Sequence, residues 1–377
     1  MEKTIPLFGV YHDEKMDQTA LEVLKSGQIA SGHYVKKFED GFGKLVDQTH
    51  VVSVNDMSSA IQIALRLIGV GPGDEVLTSP FACMSTNAPI ATSGATPVWV
   101  DIDPSTGHID PAALERVITP RSKAVLVYHL AGYPANMKRI SEICRAHGLK
   151  IIEDCDNALL ATLDGVQVGS FSDFAVYSFY PNRQINAIEG GALCCKSFTD
   201  AKRAIKLRRY GIDLTRFRTD NGEINPNCDI PEVGWAATLN NLCAAIGYSQ
   251  LSSVAERIEN VRAVASQLKD ELSKIRGVEV ISPQPGSVPS YWAFLIKVPN
   301  NSVFLNNMNE YGINVSKIHH RTDLYTGFNA SAKKNLPNTE DFLKKVLALP
   351  CGWWMTDCDI KYISSTLQNI LLKYKYV

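Results

Sequence analysis

An α/β fold is predicted for this 377-residue chain by three features of its sequence. Short, fully apolar runs alternate with amphipathic segments of about ten residues or more up to position 200 or so, the mark of a parallel sheet buried on both faces. Apolar residues make up 45% of the chain, enough for a large core and a second, smaller domain. Past position 200 the alternation gives way to a polar loop, one long amphipathic segment and a second set of strands and helices.

The elements follow in order. "EKMDQTALEVLKSG" (14–27) has helical spacing and stops at Gly27, and "SGHYVKKFEDGFGKLV" starts a second helix after Ser31 and Gly32. "HVVSV" leads into "SSAIQIALRLIG", "DEVLTS" into a polar-to-apolar stretch, "TPVWVDI" into "DPAALERVI", and "KAVLVYHL" into "NMKRISEICRAHG"; "LKIIEDC" comes next. "VYSFYPNRQINAIEGGALCC" (176–195) reads as strand, polar turn and Gly-Gly opening into another strand, with Arg183 at the centre of the turn. A later helix is predicted from Ile258, Val261, Val264, Leu268, Leu272 and Ile275, three or four residues apart. Strand, helix, strand and helix after "GSVPSYWAFLIKVPN" predict a compact α+β C-terminal domain. The expected divisions are an arm and helix over 1–26, a large domain over 27–250, and a linking helix with the small domain over 251–377.

Acidic and basic residues nearly cancel, 39 against 38, and no block of like charge stands out, so neither nucleic acid nor a membrane surface is expected as partner. The first residues lack a basic segment followed by an apolar core, and no apolar run approaches a membrane span of about 20 residues; cytoplasmic residence is expected. Nine cysteines without a C-x-x-C pair suggest reduced core residues, with neither a disulfide framework nor a zinc site.

Four segments bear on chemistry. "GVGPGDEV" (69–76) follows a helix and precedes a strand, the reverse of a nucleotide loop, and reads as a helix-terminating turn. "VNDMSSAIQIAL" runs from strand into helix with Ser58 and Ser59 at the start, where free amides can hold a phosphate, although serine there more often only caps. "LKIIEDCDNALL" puts Glu153 and Asp154 at the carboxyl end of an apolar strand, where ligands of such sheets bind. A carboxylate there can pair with a protonated ring nitrogen or a metal, or simply be solvated. "SFYPNRQINAIEGG" adds Ser178 and two glycines that permit close backbone approach.

Taken together the chain resembles the DegT/DnrJ/EryC1/StrS family, the fold-type-I sugar aminotransferases that use pyridoxal 5′-phosphate (PLP). The likeness runs over nearly the whole length, through "SGQIASGHYVKKFED", "GVGPGDEVLTSP", "GATPVWVDIDPSTGHID", "VYHLAGYPANM", "IIEDCDNALLATLDGVQVGSFSDFAVYSF", "AIEGGAL", "NNLCAAIGYSQL" and "LPNTEDFLKKVLALPC". The resemblance implies a mostly parallel seven-stranded sheet flanked by helices, and a homodimer with sites at the subunit boundary. It implies that Asp154 pairs with the pyridine nitrogen and that Asn157 replaces a Gln near the ring hydroxyl. Ser178, Ser58 and the backbone beside Met57 would hold the phosphate, and Cys83 stands where many members stack an aromatic ring.

Counting from Ser178 places Arg183 at the Schiff-base lysine position. A guanidinium stays protonated and can neither attack an aldehyde nor shuttle a proton. A second departure is "GWAATL", with Ala236 and Thr238 where the family carries Asn and Arg. Three functions follow. One is a nucleotide-sugar aminotransferase scaffold acting on a nucleotide-linked keto-sugar, with glutamate as amino donor, in unusual-sugar or polysaccharide biosynthesis. Another is a lysine-free dehydratase-like enzyme using pyridoxamine 5′-phosphate (PMP), with Tyr180, His129, His319 or His320 as candidate bases; His129, in the "VYHLAG" block that ordinary members share, reads more readily as a packed or ring-facing residue. The last is a non-catalytic sugar-nucleotide-binding homologue. In each the cofactor, where bound, is held non-covalently. His319 and His320 are the better substrate-binding candidates, and Arg208 and Arg209, in "LRRYGIDLTRF", are expected to reach across the subunit boundary and bind substrate there.

Overall fold

The computed structural model describes residues 4–328 and 335–376. Its main sheet has seven strands: β1 (Val51–Val54), β2 (Glu75–Thr78), β3 (Thr96–Trp99), β4 (Ser122–Tyr128), β5 (Lys150–Asp154), β6 (Phe174–Ser178) and β7 (Gly191–Cys195). They lie in the order β1-β7-β6-β5-β4-β2-β3. Strands β3, β2, β4, β5 and β6 pair in parallel, and only β7 runs against both of its neighbours, β6 and β1. The expected seven-stranded, mostly parallel sheet is therefore present.

Helices α1 (Glu14–Ser26), α2 (His33–Leu45), α3 (Met57–Ile68), α4 (Met84–Thr92), α5 (Pro111–Arg116), α6 (Met137–His147), α7 (Phe198–Leu207) and α8 (Asn241–Ser249) surround it. Phe38, Phe42, Tyr177 and Ala244 belong to an apolar cluster on one face, Ile61, Leu65, Leu126 and Ala204 to one on the other. Strands sandwiched in this way have no polar face, which is why their sequences read as continuous apolar runs. Gly69 ends α3 in the left-handed conformation at φ 84°, so the glycine-rich stretch is the predicted helix stop.

The helix predicted around Ile258 is α9 (Val254–Leu272); Ile275 falls in the turn beyond it. Val254 and Ile258 pack into the core of the main sheet, whereas Val261, Ala265, Leu268 and Leu272 enter a separate C-terminal core. That second core is built on strands β8 (Glu279–Val280), β9 (Phe294–Lys297) and β10 (Val346–Leu349), with α10 (Asn301–Glu310), α11 (Pro337–Lys345) and α12 (Asp357–Lys373). The N-terminal arm joins it through an Ile5–Ile313 bridge. Among the described residues no helix is long and apolar enough to cross a membrane.

Candidate functional site

The site forms where β4, β5 and β6 end. Because side chains alternate along a strand, Glu153 and Asp154 leave β5 on opposite faces. Asp154 is fully buried. Its Oδ2 accepts from Thr86 Oγ1 on the first turn of α4 at 2.7 Å, and its Oδ1 from the Asp156 amide at 3.1 Å. Burial, reinforced by the charge of Asp156, pushes its carboxyl up to about 7. A bound cationic ring N–H would reverse that trend by favouring the carboxylate.

Beside it, Asn157 Nδ2 donates to Tyr128 Oη at 2.6 Å, and His319 Nε2 lies 3.1 Å from the same hydroxyl. Asn157 Oδ1 is buried and finds no partner among the described residues, so it is a free acceptor beside Asp154. Burial first, then the charge of Arg183, pushes the His319 imidazole down to about 3, which keeps the ring neutral. Its segment is anchored by Thr322, whose amide and hydroxyl reach the Pro80 carbonyl and whose hydroxyl also meets Asn87. Ile318, just before it, takes φ 63°, a left-handed conformation costly for a β-branched residue.

The start of α3 forms the other end. Asp56, which the sequence reading passed over, is the cap: it accepts from the Ser59 amide at 2.8 Å and the Ser59 hydroxyl at 2.9 Å. The Met57 and Ser58 amides meet no acceptor among the described residues, an anion-binding arrangement at a helix N-terminus. Ser178 is in register with Gly191, and Gly191 with Val54, so the end of β6 and the turn from β1 into α3 lie at the same end of the sheet. A Cβ on Gly191 would fall 2.7–2.8 Å from the Asp56 carbonyl and the Met57 nitrogen. Gly191→Ala is expected to displace this turn, destabilising the fold by roughly 1–3 kcal/mol and weakening anion binding; urea melts and phosphate titrations would show both.

Arg183 sits in the loop from Phe179 to Gly190. The loop is closed by Phe179 N to Gly190 O (2.9 Å) and Ala187 N to Phe179 O (2.8 Å), and is tied to Asn157 O by Gln184 Nε2 at 2.8 Å. The side chain is only 12% exposed, and its guanidinium is engaged on three sides. It donates through Nε and Nη2 to both carboxylate oxygens of Asp156, the second at 2.8 Å, and through Nη1 to Asn182 Oδ1 at 2.5 Å. The Trp292 ring lies 4.9 Å from its central carbon, and Phe8 stacks on that tryptophan at 3.9 Å. Arg183 is thus a clamped cation and not a mobile turn residue.

Other expected residues fall elsewhere. His129 leaves β4 on the Glu153 side: its Nε2 lies 3.2 Å from Glu153 Oε2, its Nδ1 accepts from the Ala135 amide at 3.0 Å, and it has no exposure. The expectation of a catalytic His129 is corrected on this ground; Tyr128, one residue earlier, is the one that reaches the site. Arg208 is held within its own chain by Glu39 at 2.5 Å and the Ser53 carbonyl at 2.7 Å. Arg209 is exposed, as is His320, which lies edge-on to Tyr325 at 6.0 Å. Tyr180 is half exposed. Cys83 caps α4 without a side-chain bond.

His129, Glu153 and Cys155 bring potential metal-ligand atoms within 4.8 Å. Yet Glu153 already accepts from the Gly169 and Phe171 amides, both at 2.9 Å, and burial pushes the Cys155 thiol well above its ordinary range. The cluster is a hydrogen-bonded core knot. Replacing His129 with Ala is expected to cost about 2–4 kcal/mol of stability while leaving PLP affinity of the folded protein within about twofold, as melts and dialysis would report.

A sheet of this order, with an acid at the tip of β5 and a helix N-terminus across from it, defines an α/β transferase of the fold-type-I kind. The sequence profile described as the DegT/DnrJ/EryC1/StrS aminotransferase family matches residues 10–368. The chain belongs to that family. It is similar to the spore coat polysaccharide biosynthesis protein SpsC of Bacillus subtilis (28% identical over 98% of this chain and 96% of the relative) and to GDP-perosamine synthase of Caulobacter vibrioides (29%, 93% and 94%). Among solved structures, the sugar aminotransferase CalS13 of Micromonospora echinospora superposes with a TM-score of 0.91 at 30% identity, over 97% of this chain and 99% of its own.

Proposed function

We propose that this protein binds PLP or PMP without a covalent tether and serves, as a sugar aminotransferase homologue, in the biosynthesis of an unusual or polysaccharide-bound sugar, with a nucleotide-linked keto-sugar as ligand. The observation that carries the reading is a set of groups at one end of the sheet: the buried Asp154 carboxyl, the unpartnered Asn157 Oδ1, and the Met57 and Ser58 amides, which meet no acceptor among the described residues. Those groups match a pyridinium nitrogen, a ring hydroxyl and a phosphate. The ring, when bound, would supply an electron sink for the substrate carbon. Asp154 would hold its nitrogen, Asn157 its hydroxyl, and Ser58, Ser178 and the α3 amides its phosphate, while Cys83 would lie against it.

Arg183 stands where the resemblance places the lysine and supplies no amine. His319, being neutral and a very weak base, orients the Tyr128 hydroxyl and is poorly suited to accept a proton. His319 and His320 also border a groove of about 1010 Å³ whose rim carries Lys317 and Lys344, large enough for a nucleotide sugar. The names of the relatives, a GDP-sugar synthase among them, support that substrate class. A second reading, a non-catalytic sugar-nucleotide-binding subunit, is favoured by the clamped Arg183. In both readings the working unit is a homodimer, with Arg209 as the exposed candidate for contact across the boundary.

The test is to mix the purified protein with PLP, PMP and glutamate in turn, following absorbance, retention on dialysis and amino transfer to nucleotide-linked keto-sugars. Retention of PLP or PMP that is fully lost on denaturation supports untethered binding. No retention of either form sinks the cofactor reading, and retention without turnover selects the second one.

A further inference from the structure

Resting on the cofactor reading above, we propose that Asp156 is a positioning residue matched to a fixed cation at position 183, so that a lysine placed there attaches PLP efficiently only when Asp156 is also neutralised. Asp156 follows β5 by two residues, and its amide is fixed to Asp154 Oδ1 at 3.1 Å. Its side chain is 1% exposed and spans the Arg183 guanidinium with both carboxylate oxygens. The other titratable groups around Arg183 are Asp154, Tyr128, Cys83, His319 and Glu189. Tyr128 is kept protonated and His319 neutral, so no second cation in that set offsets the acid.

An ε-ammonium at position 183 would meet the same buried carboxylate. An anion in contact raises an amine's proton affinity, commonly by one to several units, and an ammonium has no lone pair with which to attack. With Asn at 156 the only carboxylate in contact is gone, and burial favours the neutral amine against the more distant Asp154 and Glu189. The amine nitrogen can then add to the aldehyde carbon, forming the C–N double bond as the carbonyl oxygen leaves in water with the two amine protons. One substitution therefore does not recreate the tether: Asp156 and Arg183 function as a matched pair.

The test compares the wild-type protein with Asp156→Asn, Arg183→Lys and the double variant. Each is incubated with PLP, dialysed to measure retention, then reduced with borohydride and mapped by mass spectrometry at residue 183. Near neutral pH the double variant is expected to label at least tenfold more than Arg183→Lys. Labelling of the single variant should appear only at a pH about one unit higher or more, since each unit is a tenfold change in free amine. Equal labelling with the same pH midpoint in both lysine variants overturns the proposal. Retention of PLP by the wild type with no labelling of either lysine variant overturns it while sparing the cofactor reading; no retention by any variant removes both. Arg183→Lys combined with Asp156→Ser replaces the double variant if thermal melts show that it does not fold.

Discussion

Asp154→Asn is expected to make the ligand-free protein more stable at pH 8 than its parent while weakening PLP binding by roughly 10- to 100-fold, the range for losing a hydrogen bond to a charged group. The Asp154 carboxyl is raised from an ordinary 3.8 to about 7, by burial and by Asp156. Below the lower value it is protonated in folded and unfolded chains alike and has no effect. Between the two values the unfolded chain releases its proton and the folded protein keeps it, so stability falls as pH rises and levels off above about 7. The full penalty is on the order of 4 kcal/mol. Urea unfolding from pH 4 to 8 should show this slope in the parent and its near absence in the asparagine variant. An unchanged slope would mean that Asp154 is ionised at ordinary cost, and unchanged PLP retention would remove it from the ring nitrogen.

Arg183→Ala has the second large expected effect. It strips the partner from a carboxylate that is 1% exposed, and breaking one side of a buried ion pair typically costs about 3–5 kcal/mol. Most of that loss is the uncompensated charge of Asp156, so the Arg183→Ala, Asp156→Ala double variant should recover the larger part. A double-mutant cycle by urea unfolding would measure the coupling. A single-variant loss below about 1 kcal/mol, the value of an exposed pair, would contradict a clamped guanidinium.

The sheet was legible in the sequence because its strands are covered on both faces and left continuous apolar runs, and the Gly-Gly opening into β7 was legible because a close backbone contact at Gly191 demanded it. The acid at the tip of β5 was equally readable. What sequence reasoning missed turns on single-residue offsets. Tyr128 and His129 are adjacent, and only the pleat of β4 decides which one meets the site and which meets Glu153. At α3 the two serines drew attention, but the cap is the aspartate two positions before Ser58. Thr86 and Trp292 lay in stretches with no periodic signal and reach the site through long-range packing. Asp156 did leave a trace, as a second acid two residues after Asp154, but a turn acid beside a strand end is too common to single out without seeing its guanidinium partner.

Helix α9 carries a further meaning. It begins in one hydrophobic core and ends in another, and between these ends Arg257 lies 3.5 Å from the Tyr11 ring centre and donates to the Gln184 carbonyl at 2.9 Å. The helix is a stiff rod pinned at its first turn. The rod that runs out of the C-terminal core therefore also braces the peptide beside Arg183.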